Sequence, residues 1–188
     1  IDVTSLPSGT ATVYLGLFAN VTGTVKNLTV AGGSVSYSGA KEFHIGSVAG
    51  TMSGTIENCH NTMNISGKAT ATKISGYVGG LAGNATGGII TTSSNTGSVS
   101  ATSYKGETTS SNAQFAGGIV ADGTTATMIT KCYNTGSVTA TVNNGYGYYN
   151  SSATYYDTAL ASGVCRTANI SDSYNTGVIK TAKAPSYD

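Results

Sequence analysis

The chain has 188 residues, with 9 Lys or Arg against 8 Asp or Glu, and a formal net charge of +1. So sparse a charge offers neither a basic footprint for nucleic acid nor an acidic tail, and no apolar run reaches the length of a membrane helix. The only prolines, Pro7 and Pro185, lie near the ends, so the interior suits continuous strand pairing.

Helical periodicity is missing throughout. Short segments rich in Val, Ile and Thr recur instead, bounded by Gly, Asn and Ser, and they belong to two linked words. In chain order, GLFA at 16–19 is followed by TVAGGSV ending at Val35, and SVAG at 47–50 by CHNTMNI ending at Ile65. GLAG at 80–83 precedes SSNTGSVSA at 93–101, GIVA at 118–121 precedes KCYNTGSVTA at 131–140, and GVCR at 163–166 precedes SYNTGVIKT at 173–181. The apolar anchors Val35, Ile65, Val99, Val138 and Ile179 are spaced by 30, 34, 39 and 41 residues.

Repeats of this size cannot close a core alone and are stable when stacked. The pattern predicts an all-β chain: a parallel β-solenoid of about five coils with side loops of increasing length. At about 4.8 Å per coil, its rod would be about 24 Å long. The copies fall at about 12–42, 43–73, 74–112, 113–160 and 161–182, within one repeat domain spanning 1–188.

Stacking gives the second word a physical purpose. Asn tolerates the left-handed backbone region and its amide can bond to the Asn above and below, while Gly supplies positive φ without steric cost. Asn61, Asn95, Asn134 and Asn175 are expected to form a ladder, with Gly80, Gly118 and Gly163 as the matching structural glycines of the first word. Two residues before each Asn position comes Thr29, Cys59, Ser93, Cys132 or Ser173, read as a small inward position near a tight corner. One residue before comes Val30, His60, Ser94, Tyr133 or Tyr174, read as outward, so Tyr133 and Tyr174 should stack.

GLAG at 80–83, the pair Gly79-Gly80 and the trailing SSNTGSVSA resemble the GLUG repeat, a family of bacterial extracellular repeats. FAGGIVADG and ITKCYNTGSV within 115–138 are similar, with Ala121 where the closing Gly is expected; in the fifth copy Arg166 takes that place. The resemblance spans about residues 12–181. It implies a secreted or wall-attached bacterial surface protein, this chain being one segment of it with flanking domains in the same chain. The family's motif residues are structural, so it implies no catalytic set and no cofactor.

Chemistry-bearing residues are few. Cys59, Cys132 and Cys165 lack metal-ligand spacing and read as small buried thiols. No nucleophile elbow, HExxH or phosphate-binding loop appears, and neither a catalytic nor a metal-binding set is assigned. Alignment stacks Lys131 against Asp172, which suggests an exposed inter-coil ion pair. Recognition is placed instead on the connectors at 36–45, 66–78, 100–116 and 139–162, which lengthen along the chain and should line one side of the rod. The longest holds Tyr146, Tyr148, Tyr149, Tyr155 and Tyr156, with Asp157, among Asn, Ser and Gly. That composition suits contact with a glycan or with a host or bacterial surface protein. It also suits a hairpin folded down to cover a strand edge, for which the halves around Asn150 to Ser152 have the pattern of two strands and a turn. The function expected is that of a non-catalytic structural or adhesive module; a polysaccharide-acting solenoid enzyme, or an accessory segment of a surface peptidase, is the alternative.

Overall fold

Strands with one face in a core bury every second residue, and these segments do so: Val138–Val142 alternates buried and half-buried positions along its length. A computed structural model describes residues 2–3, 12–104, 112–143, 149–150, 153–154 and 158–183, with the isolated two-residue segments described as backbone alone. Every regular element among the described residues is a strand. Four walls follow one another in each of the first four coils, and the fifth has strands in walls one, three and four among the described residues. Wall one stacks Val13–Leu15, Phe43–Ile45, Ser75–Gly79, Ala113–Gly117 and Thr158–Ser162, and wall two stacks Phe18–Val21, Ala49–Met52, Ala82–Ala85 and Val120–Asp122.

Wall three contains Thr24–Val30 and Thr55–Asn61, then three strands broken in two: Gly88–Thr91 with Ser94–Asn95, Thr127–Thr130 with Tyr133–Asn134, and Asn169–Ser171 with Tyr174–Asn175. Wall four contains Asp2–Val3, Ser34–Gly39, Asn64–Ala69, Val99–Thr102, Val138–Val142 and Ile179–Lys183. The ladders between coils are parallel, and the chain is a parallel β-solenoid. Its fifth coil opens at Thr158, which pairs with Ala113, a little before the copy boundary read from the words.

The core is a set of columns. Val35, Ile65, Val99, Val138 and Ile179 stand directly above one another in wall four. Val25, Ile56, Ile90, Ile129 and Ile170 do the same in wall three. Ile56, Ile90 and Ile129 are fully buried, and each stabilises the stack by about 1.5–3 kcal/mol relative to an exposed side chain. Where one coil carries a large ring, its neighbour carries none: a Cβ on Gly67 or Gly76 would fall 2.3 or 2.2 Å from the Phe43 ring.

The Asn ladder forms as expected. Nδ2 of Asn61 donates to Oδ1 of Asn95 at 2.7 Å, Asn95 to Asn134 at 2.7 Å, and Asn134 to Asn175 at 2.6 Å. The second Nδ2 proton of each goes to the carbonyl two residues on, at Met63, Gly97, Gly136 and Gly177, each at 2.8 Å. Asn61, Asn95 and Asn134 are fully buried, so these bonds satisfy groups that water does not reach. The glycines of the first word lie against this ladder: a Cβ on Gly80, Gly118 or Gly163 would stand 2.6, 2.5 or 2.6 Å from Cγ of Asn95, Asn134 or Asn175. The two words occur together because they pack against each other.

Three details differ from the sequence reading. The ladder Asn residues and the glycines two positions later do not have positive φ; the left-handed column is Asn27, Asn58, Thr92, Lys131 and Asp172, at φ of 49 to 57°. Glycine in Asn-Thr-Gly is required by close approach instead, because a Cβ on Gly97, Gly136 or Gly177 would lie 1.9, 1.9 or 2.0 Å from a carbonyl oxygen of the preceding coil. The first coil is also shifted. Leu28 pairs with Cys59, Thr29 with His60 and Val30 with Asn61, and the extra residue is taken up at Gly32 and Gly33, both at positive φ.

Just after the left-handed residue, a small side chain repairs the corner. Ser93 and Ser173 donate to the carbonyls of Thr91 and Ser171, while Cys59 and Cys132 make the same bond from sulfur to Glu57 and Thr130. In return, Oγ of Ser93 and Ser173 accepts from the backbone N–H of Cys59 and Cys132 at 3.0 Å. Ser and Cys interchange here because each is a small hydrogen-bond donor. All three cysteines are buried and unpaired, and burial pushes the thiols of Cys132 and Cys165 up to about 11, away from thiolate reactivity.

Glycine substitutions separate close approach from backbone freedom. Gly136→Ala is expected to destabilise by at least about 2 kcal/mol in urea unfolding, since the methyl meets a fixed carbonyl. Gly23→Ala, where nothing lies within 4 Å, is expected to stay within about 1 kcal/mol of the parent. Equal losses at both positions would contradict this account of the repeat.

Candidate functional site

The corner between wall four and wall one is where the coils differ. Strands occupy the ends of each connector, leaving 40–42, 70–74, 103–112 and 143–157 between wall four and wall one. These pieces lengthen along the chain and all leave at the same corner. In the last, Tyr149–Asn150 pairs antiparallel with Ala153–Thr154, the hairpin anticipated from the sequence. Tyr146, Tyr148, Tyr155, Tyr156 and Asp157 lie outside the described residues, as does the side chain of Tyr149.

Buried polar side chains hold the corner closed beneath the longer connectors. Oδ1 of Asn112 accepts from the backbone N–H of Ile74, and Nε2 of Gln114 donates to the carbonyl of Ile74 at 3.0 Å. Oγ of Ser103 accepts from the backbone N–H of Asn143, whose Nδ2 donates to the carbonyl of Ser103 at 2.7 Å. Where a connector interrupts the strand ladder, a side chain from the neighbouring coil supplies the missing hydrogen bond.

Beside this corner, the outer face of wall one carries a feature that the sequence reading missed. Tyr14, His44, Tyr77 and Phe115 occupy one outward column. Ring centroids are 5.2 Å apart from Tyr14 to His44, 4.6 Å from His44 to Tyr77 and 4.9 Å from Tyr77 to Phe115. Leu160 follows in register, but the stack is continued by Arg166, whose guanidinium lies 4.6 Å from the Phe115 centroid. Five planar groups thus run the length of the rod.

Arg166 is fixed by a two-pronged bond to Asp122 of the coil before it: Nε donates to Oδ1 at 2.9 Å and Nη2 donates to Oδ2. The Asp122 carboxylate raises the Arg166 pKa above its usual value, so the cation is permanent. At the other end, His44 Nε2 lies 3.1 Å from Glu42 Oε1. Burial raises the Tyr77 pKa, and the charges of Glu42 and Asp122 add to the effect. The signal was present in the sequence: His44, Tyr77 and Phe115 each stand three positions before Ser47, Gly80 and Gly118 of the first word.

The expected ion pair is elsewhere. Lys131 and Asp172 share the left-handed column without forming the expected ion pair, whereas Arg166 and Asp122 do pair. The tyrosine stack expected on wall three is present, with Tyr133 and Tyr174 rings 5.5 Å apart and 11° from parallel. Wall four carries a hydroxyl-rich outer face in Ser66, Ser100, Thr102, Thr139 and Thr141, interrupted by Lys68. Among the described residues, no three His, Cys, Asp or Glu side chains meet as metal ligands, and no helix is long and apolar enough to cross a membrane. Searches with the chain match no family model, no curated protein and no solved structure.

Arg166 is expected to act as the clamp of the row. Arg166→Ala should lower stability by about 1 kcal/mol, and Arg166→Lys should recover less than half of that, because an ammonium cannot lie flat on Phe115 while bonding both oxygens of Asp122. Full recovery with Lys in urea unfolding would mean that charge alone matters.

Proposed function

We propose that the chain is a non-catalytic structural and adhesive segment of a bacterial surface protein, of the GLUG-repeat type, exposed outside the cell and set among flanking domains. It would meet a glycan or a surface protein through the tyrosine-rich connector. The observation that carries this reading is the shared exit of the connectors at one corner of a rigid stack. Loops held at coil spacing on a rigid rod can combine weak contacts, so that avidity takes the place of a deep pocket.

A catalytic role on polysaccharide draws less support. It requires carboxylates available to transfer protons. Of the two carboxylates beside the aromatic row, Asp122 has both oxygens bonded by Arg166, and Glu42 is engaged with His44. The ring faces of Tyr77 and Phe115 are likewise occupied within the row, so they offer a sugar their edges rather than a platform.

Binding to glycan and host-protein arrays, comparing the parent with a variant carrying Ser at positions 148, 149, 155 and 156, tests the reading. Binding by the parent and its loss in a variant of unchanged circular dichroism is the expected result. Undiminished binding by the variant would remove the connector from the contact surface.

A further inference from the structure

Of the five planar groups in the row, one can change its charge near neutral pH. His44 is nine-tenths buried, with the Tyr14 ring on one side and the Tyr77 ring on the other. The titratable groups facing it are Glu42 on its own coil and the two tyrosines on the coils before and after. Ala49–Met52 and Ala82–Ala85, packed on the wall-two side, bring none. Its Nε2 is matched with Glu42 Oε1, while its buried Nδ1 has no hydrogen-bond partner.

We propose that His44 is an acid-sensitive clasp: a proton taken up at Nδ1 opens the row between Tyr14 and Tyr77 and loosens the first two coils of wall one. In the neutral ring, Nε2–H donates to the Glu42 carboxylate and Nδ1 keeps a bare lone pair, which the dry site tolerates. Protonation turns that lone pair into an N–H with no acceptor and places a cation where water does not reach it. Glu42 compensates through the other nitrogen only. The third and fourth coils carry Tyr77 and Phe115 in this column, so the sensitivity belongs to the N-terminal half of the rod.

The direction of the pH effect follows from burial, which holds the His44 pKa below its ordinary value; the hydrogen bond and charge of Glu42 oppose this. A histidine whose folded pKa is depressed gives full stability above the unfolded pKa, about 6.5, and loses it as pH falls from there toward the folded value.

Amide hydrogen exchange, corrected for intrinsic rates and followed from about pH 7.5 to about pH 5, tests the clasp. Amides of Val13–Leu15 and Phe43–Ile45 should lose protection by about tenfold for each unit of depression, while Val138–Val142 keeps its own. In His44→Phe, which places in this column the residue found at 115, the difference between the two ends should vanish. Glu42→Gln should enlarge it. Loss of protection in His44→Phe equal to that of the parent, or uniform loss along the rod, would overturn the proposal. Should the variant fail to fold, a titration of His44 by NMR in the parent decides: a folded pKa at or above about 6.5 would overturn it equally.

Discussion

A carboxamide that donates twice and accepts once, repeated on successive coils, is the interaction on which the rest of this architecture depends. Each buried Asn bonds onward to the next coil and sideways to the carbonyl two residues away. This chain of amides fixes register. A slip by one residue would leave several buried amide groups unpaired at once, each costing about 1–3 kcal/mol. Glycines close off the alternatives: those of the first word leave room for the amide across the core, and those of Asn-Thr-Gly let a carbonyl of the preceding coil come close. In the first coil, Val30 stands where the ladder would continue, and the ladder begins at Asn61.

Given that register, the ladder positions are fixed while the outward columns are free to differ. Wall one uses its outward column for a row of neighbouring rings, closed by Arg166 and Asp122. Wall three uses one of its own for the Tyr133 and Tyr174 pair. At the corner leading into wall one, the solenoid accepts longer and longer insertions, because Ser103, Asn112, Gln114 and Asn143 replace the strand hydrogen bonds that a departing connector removes. Variation concentrated at a buttressed corner is what a display function requires.

Much of this was legible in the sequence. The anchors from Val35 to Ile179, the Asn ladder, the small corner residues from Cys59 to Ser173 and the stacked tyrosines all follow from aligning two words, whereas Thr29 does not, since Leu28 takes that corner in the first coil. What escaped depended on backbone geometry that the letters do not carry. Thr92, Lys131 and Asp172 hold the left-handed position although none is a glycine, so composition pointed to the wrong residue. The row through His44, Tyr77 and Phe115 was hidden because His, Tyr and Phe were not read as equivalent, although all present a flat ring at the same step of the repeat; Tyr14 joins it in register although it stands two positions, not three, before Gly16. Arg166 looked like a worn copy of a glycine; its value lies in reaching over Phe115 to an aspartate 44 residues earlier. Recognition by the tyrosine-rich connector rests on sequence chemistry and on the position of its exit.

The most direct test of the ladder is hydrogen exchange at the side-chain amides of Asn61, Asn95 and Asn134, resolved by NMR. The account predicts that these Nδ2 protons exchange as slowly as the most protected backbone amides of the core, since they can open only when coils separate. Exchange at the rate of a solvent-exposed asparagine in an otherwise folded chain would contradict it, and would mean that the coils are held in register by something other than their amides.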